Sequence, residues 1–310
     1  MSVPPPGRMI DVGGHRLHVV CRGNGTPPVL LESGIAASSV SWALIQPEIA
    51  AFSTACAYDR AGFAWSERPS RPRTFDVILE ELDAVVRAAS APPAVLVGHS
   101  FGSLIVLGYA ARHPDRVTAL VLVDPPLEWI AATPPQMRLL RGARYLSRLG
   151  AFFARLGLVR LALSWLTGGR PDASRRVAHA FGPAVGRTLE RIVGEVRKLP
   201  EELHPVMQQL WCQPKCFHAM ADHLQVLQRE AAAIGACSPP SDLPIVVVTG
   251  SHQPPSQVAA HRALAARSSR GRHVIAARSG HWILFDEPEL VVSVVRELVN
   301  DYHLQANGSG

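Results

Sequence analysis

The strongest constraint on this chain is the run Ala94-Val-Leu-Val-Gly98, followed at once by His99-Ser100-Phe101-Gly102 and a helical pattern ending at His113-Pro114. A short, unbroken apolar run reads as a strand buried on both faces, and such strands belong to parallel sheets. A second run of this kind, Val117 to Val123, follows and closes at Asp124-Pro-Pro126. Strand, sharp turn, helix and strand in that order predict an α/β architecture.

The alternation extends to both ends. Residues 8–22 read as a hairpin about Gly13-Gly14, Val29–Glu32 as a buried strand, and Thr54–Tyr58 as another. Ser41–Ala51 has helical spacing, and Thr74–Ala89 is an amphipathic helix that Thr74 can cap. After residue 240 come the strand Pro244–Val248, a helix near Ser256–Ala266, the strand His273–Ala276 and a helix from Pro288 to Tyr302. Between 127 and 240 everything reads helical or irregular. The expected organisation is a core of residues 1–125 and 241–310, a mainly parallel sheet with helices on both faces. Residues 126–240 form an inserted helical cap.

Composition narrows the function. At 310 residues and 47% hydrophobic content, disorder is excluded. The net charge of +6 is uneven. Residues 125–240 hold 15 basic and 8 acidic side chains, and the remainder 16 and 17. No zinc-finger spacing, RNA-recognition signature or basic zipper accompanies the excess, so nucleic acid is not the expected partner. The excess is densest from 138 to 176, with nine Arg against Asp172. There Arg138, Arg141, Arg144, Arg148 and Arg155 interleave with leucines and phenylalanines. This predicts a basic amphipathic lid helix, or two helices broken near Gly150, with weak contact to anionic lipid as a further expectation.

The five scattered cysteines do not suggest a disulfide framework. Cys212, Cys216 and nearby His218 lack an obvious fourth ligand, so two thiols on one helix face are expected rather than a metal site. Met1–Gly14 has no long apolar stretch, and Leu149–Leu166 is interrupted by Arg155 and Arg160. Neither a secretory signal nor a membrane span is expected, and a cytoplasmic location is the simplest account.

Gly98-His99-Ser100-Phe101-Gly102 is a Gly-x-Ser-x-Gly pattern, of which chance would supply roughly 0.1 copies in a chain of this composition. Its place between a buried strand and a helix marks it as a nucleophile elbow, exposing the Ser100 hydroxyl. A serine needs a base. His281 follows the last strand at the carboxyl edge of the sheet, whereas His99 is held within the elbow and His252 is expected to line the site or face solvent. The base needs a carboxylate. The loop after the next-to-last strand, Thr249-Gly-Ser-His-Gln253, has none, and no Asp or Glu occurs from Leu243 to Phe285. Asp124, at the neighbouring strand end, is the expected acid. Asp242, Asp286 and Glu128 are its rivals.

These residues, with Gly13–Val19, Leu31–Gly34 and Tyr58-Asp-Arg-Ala-Gly-Phe-Ala-Trp-Ser66, resemble the α/β-hydrolase superfamily in its lid-bearing esterase branch. The resemblance covers nearly the whole chain. It implies an eight-stranded sheet, a Ser-His-acid triad of Ser100, His281 and Asp124, and an oxyanion hole from the Ile35 and Phe101 amides. Two positions depart from the family pattern. Ser33-Gly34 replaces the usual His-Gly, and the acid follows the sixth strand instead of the seventh. Some haloalkane dehalogenases share the second feature, but they and the epoxide hydrolases use an Asp nucleophile. The expected activity is hydrolysis of small-molecule carboxylic esters, without metal or cofactor. Carbon–carbon bond hydrolysis, perhydrolysis and acyl transfer are the alternatives, and a non-catalytic binding member is a further one. Gly34, Trp42, His99, Trp129 and Trp282 are the candidate pocket residues.

Overall fold

A computed structural model describes residues 4–89, 93–161 and 198–308. Its elements follow the chain as β1 (Arg8–Asp11), β2 (Arg16–Arg22), β3 (Val29–Glu32), α1 (Gln46–Ala50), β4 (Ala55–Tyr58) and α2 (Phe75–Ala89). Next come β5 (Ala94–His99), α3 (Phe101–Arg112), β6 (Val117–Val123) and α4 (Pro134–Arg155). The chain continues with α5 (His204–Trp211), α6 (Pro214–Gly235), β7 (Ile245–Gly250), α7 (Pro255–Ala265), β8 (Gly271–Ala276), α8 (Ile283–Asp286) and α9 (Pro288–Gly308).

The eight strands form one sheet in the order β1-β2-β4-β3-β5-β6-β7-β8. β1–β2 and β2–β4 are antiparallel, and every other pair is parallel. Side chains alternate across the central strands. Leu96, Leu120 and Leu122 face one layer with α2 and α3, while Val95, Val97, Val121 and Val123 face the other with α1 and α9. Both layers are closed, which is why β5 and β6 carry no polar face. In α2, Phe75, Ile78, Leu79, Leu82, Val85 and Val86 recur at helical spacing and are buried. Each such burial contributes about 1.5–3 kcal/mol. Thr74 accepts the Val77 amide through its hydroxyl at 3.2 Å, capping the helix.

Three expectations need correction, and the structure decides between the two alternatives for the basic segment. Ser41–Ala51 is not one helix: a 3-10 turn at Ser39–Trp42 precedes α1, because Pro47 permits a helix to start around it but not to run through it. The basic helix is continuous through Gly150. A Cβ there would lie 2.6 Å from the Phe217 ring, so this glycine serves the close approach of α4 to α6. Cys212 and Cys216 do not share a helix, since α5 ends before one and α6 contains the other. Finally, Cys21 and Cys56 form a disulfide. Antiparallel pairing of β2 with β4 sets them directly opposite, and a separation of 35 residues hid that register in the sequence.

Among the described residues, the stretch between β6 and β7 is helical and irregular. No helix among them is long and apolar enough to cross a membrane.

Candidate active site

The elbow follows from crowding. A Cβ at Gly98 would sit 2.5 Å from the Gly102 carbonyl oxygen, and one at Gly102 2.4 Å from that of Glu32. Only glycine fits at both places, and the turn between them holds Ser100 at φ 53° and ψ −123°. Side-chain-bearing residues rarely adopt this conformation. The Ser100 amide donates to the Val123 carbonyl at 2.8 Å, tying the elbow to the end of β6. Phe101 opens α3, where amides have no partner within the helix.

One residue beyond Val123, Asp124 also has a positive φ, 47°, a region that Asp tolerates better than most residues. Its Oδ2 accepts from His281 Nδ1 at 2.6 Å. Its Oδ1 accepts the Gly250 amide at 3.3 Å, and Gln253 Nε2 donates to Oδ2. Burial opposes ionisation, but the bond from His281, its charge and the Gly250 amide together hold Asp124 below the usual carboxylate range. The β7 loop therefore donates hydrogen bonds to the carboxylate instead of supplying it.

A second layer secures the Asp124 turn. The Pro125 carbonyl accepts from Gln257 Nε2 at 2.9 Å and from His261 Nε2 at 2.7 Å. Because Nε2 of His261 donates, its Nδ1 accepts the Thr249 hydroxyl at 2.7 Å. Thr249 Oγ1 in turn accepts from His273 Nε2 at 2.9 Å. Burial lowers the pKa of His261, which suits this neutral arrangement.

His281 keeps about a quarter of its side chain exposed (28%), while Asp124 is enclosed (1%). His99 connects the base to the elbow: its Nε2 donates to the His281 carbonyl at 2.9 Å, and the two rings lie 4.9 Å apart. Burial, reinforced by nearby His281, pushes His99 down to about 3, so this ring is neutral. His99, His281 and Asp124 thus form one connected group, and Ser100 follows His99 directly in the chain. Trp282 adjoins it, 5.5 Å from the His99 ring and stacked on Phe285.

The Ser33-Gly34-Ile35 loop is held from below. Arg60 donates to the carbonyls of Ser33 and Gly34 and to Glu32, which also accepts from Tyr58. All of Glu32, Tyr58 and Arg60 are buried. Glu67, Asp59 and Ser66 make a separate set of bonds that reaches β2, Asp59 binding His18 at 2.9 Å. The loop approaches the elbow so closely that a Cβ on Gly34 would lie 3.1 Å from His99 Nδ1. Among the described residues, the Ile35 and Phe101 amides have no hydrogen-bond partner.

Trp42 is not a pocket residue. It is fully enclosed in the core (0% exposed), and its indole donates to Ser33 Oγ at 3.0 Å, supporting the loop from behind. Trp129 is half-buried on the turn after β6. From the inserted stretch, α6 brings buried His223 to 5.6 Å from the Phe101 ring and 5.4 Å from Phe63. Of the rival acids, Asp286 is engaged by Lys198 and Ser279, and Asp242 and Glu128 are exposed. Among the described residues, no three His, Cys, Asp or Glu side chains group as they would around a metal.

Sequence reasoning missed Gln253, Gln257, His261 and Arg60. The one available signal was Gln253 itself, a strong donor in a loop where an acid was sought.

The chain belongs to the α/β hydrolase fold family, whose sequence model matches residues 27–288. It is 37% identical over 124 residues to 2-hydroxymuconate semialdehyde hydrolase of Pseudomonas sp. strain CF600, covering 39% of this chain and 44% of that protein. It is 29% identical over 168 residues to the (lyso)-N-acylphosphatidylethanolamine lipase of Bos taurus, covering 50% and 48%. The matches thus span about half the length of these relatives. Among solved structures, an esterase from Exiguobacterium antarcticum superimposes with a TM-score of 0.68 at 15% identity, covering 95% of this chain and 99% of the other. At that identity the likeness concerns the fold alone.

Proposed function

We propose that the protein is a serine hydrolase that cleaves carboxylic esters through an acyl-enzyme. The observation carrying this reading is the 2.6 Å bond between Asp124 Oδ2 and His281 Nδ1 beside the Ser100 elbow. With the proton on Nδ1, the lone pair of His281 is on Nε2. His281 removes the Ser100 proton as Oγ attacks the ester carbonyl, and the resulting imidazolium is stabilised by Asp124. The oxyanion is received by the Ile35 and Phe101 amides, each contributing about 3–4 kcal/mol in comparable sites. Collapse breaks the ester C–O bond, and His281 returns its proton to the leaving alcohol. Water then repeats the sequence on the acyl-enzyme, releasing the acid and free Ser100. Residues 126–240, of which 162–197 lie outside the described residues, are assigned the role of a cap over the site, a reading supported by the contact of His223 on α6 with Phe101.

A second reading uses the same groups for carbon–carbon bond hydrolysis, and the match to 2-hydroxymuconate semialdehyde hydrolase supports it. Epoxide opening through a carboxylate nucleophile has no residue to perform it, because Ser100 occupies the elbow. Hydrolysis of p-nitrophenyl esters of short and medium acyl chains tests the ester reading. Release abolished by Ser100→Ala supports it. If no Ser100-dependent release occurs but 2-hydroxymuconate semialdehyde is cleaved, the second reading replaces it.

A further inference from the structure

The helix α4 spans 22 residues and carries five Arg and no Asp or Glu. One face packs on α6 through Leu140, Ser147 and Ala151, with Gly150 against Phe217. The opposite face is mostly apolar and exposed among the described residues. Leu139, Leu146 and Phe153 recur every seven residues, as do Tyr145 and Phe152, and Leu149 and Leu156 at the helix end. Their exposures run from 39% to 75%. Arg141, Arg148 and Arg155 recur at the same interval and are exposed. At 100° per residue, the apolar positions fill an arc of roughly 140° that also takes in Arg138 near the helix start, and Arg141, Arg148 and Arg155 lie roughly 20° to 60° beyond one edge of it.

We propose that this face of α4 docks on anionic lipid surfaces. An apolar strip of this size is uncommon on a protein that meets only water. Leucine and phenylalanine can enter the boundary between headgroups and acyl chains. The arginines beside them then reach lipid phosphates while their stems stay apolar. Charge selects this occupant. A second copy of the chain would set one arginine row against another, with no acid on α4 to relieve them. Residues 162–197 carry six Arg and three acidic residues, so they have the same sign. Asp222 on α6 faces Arg148 of this row and Arg144 from the packed side, and one carboxylate does not balance the five arginines of α4. Nucleic acid would satisfy the arginines but leave the apolar strip in water.

Flotation of the whole protein with phosphatidylcholine vesicles, with and without phosphatidylglycerol, tests the proposal. Binding is expected on the anionic vesicles at about 0.05 M salt. It should fall at least about tenfold on pure phosphatidylcholine or at about 0.5 M salt. Arg141→Glu combined with Arg148→Glu and Arg155→Glu should abolish it. Leu146→Ser with Phe153→Ser should weaken it while thermal melting stays cooperative. The proposal fails if anionic vesicles are not bound, if both lipids bind equally, or if the charge reversals leave binding unchanged. It also fails if the protein forms lipid-independent dimers that the Leu146 and Phe153 changes dissolve. Binding to an RNA oligomer that survives those two changes would likewise overturn it.

Discussion

Asp124 Oδ2 and His281 Nδ1 meet at 2.6 Å across 157 residues of sequence, from the ends of β6 and β8 on either side of β7. The pairing requires a carboxylate that stays ionised and a ring held in one tautomer. Asp124→Asn preserves shape but presents an amide, which can favour the wrong tautomer. The expected result is a fall in kcat of about three to four orders of magnitude with KM little changed. A fall below tenfold would show that another acid serves His281.

Gln253 donates to the same carboxylate oxygen as His281. Hydrogen bonds to charged groups contribute about 1.5–3 kcal/mol, so Gln253→Leu should lower kcat by about tenfold or more at constant KM. A change in KM alone would mean that Gln253 touches substrate. His261 acts one step further out, through the Pro125 carbonyl. His261→Leu removes one of the two donors to that carbonyl and the acceptor of the Thr249 hydroxyl, and denaturant unfolding should show a loss of about 1–3 kcal/mol.

Buried neutral histidines make folding acid-sensitive. The pKa of His99 is about 3 in the folded chain against about 6.5 when exposed. The unfolded chain therefore binds the extra proton between these values. The stability from His99 is fully present above about pH 6.5 and declines as pH falls toward 3. His223 and His261 are shifted in the same direction, and His18 in the opposite one. Urea unfolding between about pH 7 and pH 5 should show this decline. His99→Gln should reduce its slope by about 1 kcal/mol per pH unit over this range. An unchanged slope would show that His99 is not the neutral buried ring described.

The Cys21–Cys56 bond leaves Cys212, Cys216 and Cys237 as free thiols. Thiol titration of the unreduced, denatured protein should count three, and five after reduction. Loop closure over 35 residues corresponds to about 3–4 kcal/mol in the chain-entropy view, so Cys21→Ser should lower stability by that order. Five thiols before reduction would contradict the pairing.

Much of this was legible in local pattern. β3, β5, β6, α2 and α3 follow from apolar runs and 3.6-residue spacing, because both layers of the sheet are closed and punish polar intrusions. The Gly-x-Ser-x-Gly turn is equally local. Asp124 emerged from a missing residue, the absence of any carboxylate from Leu243 to Phe285. What stayed hidden depends on register and long-range contact. The disulfide needs the β2–β4 pairing, Trp42's burial needs the loop over Ser33, and the continuity of α4 at Gly150 needs Phe217 on a different helix. His261 and Arg60 act through backbone carbonyls, which leave no mark in a sequence.

We propose that Ser100, activated by His281, forms a covalent acyl-enzyme. Labelling with a fluorophosphonate followed by peptide mass mapping tests it most directly. One adduct, on the peptide carrying Ser100, is expected. It should disappear in Ser100→Ala and slow by about three orders of magnitude or more in His281→Ala. No adduct on the native protein, or an adduct on a different residue, would contradict the account.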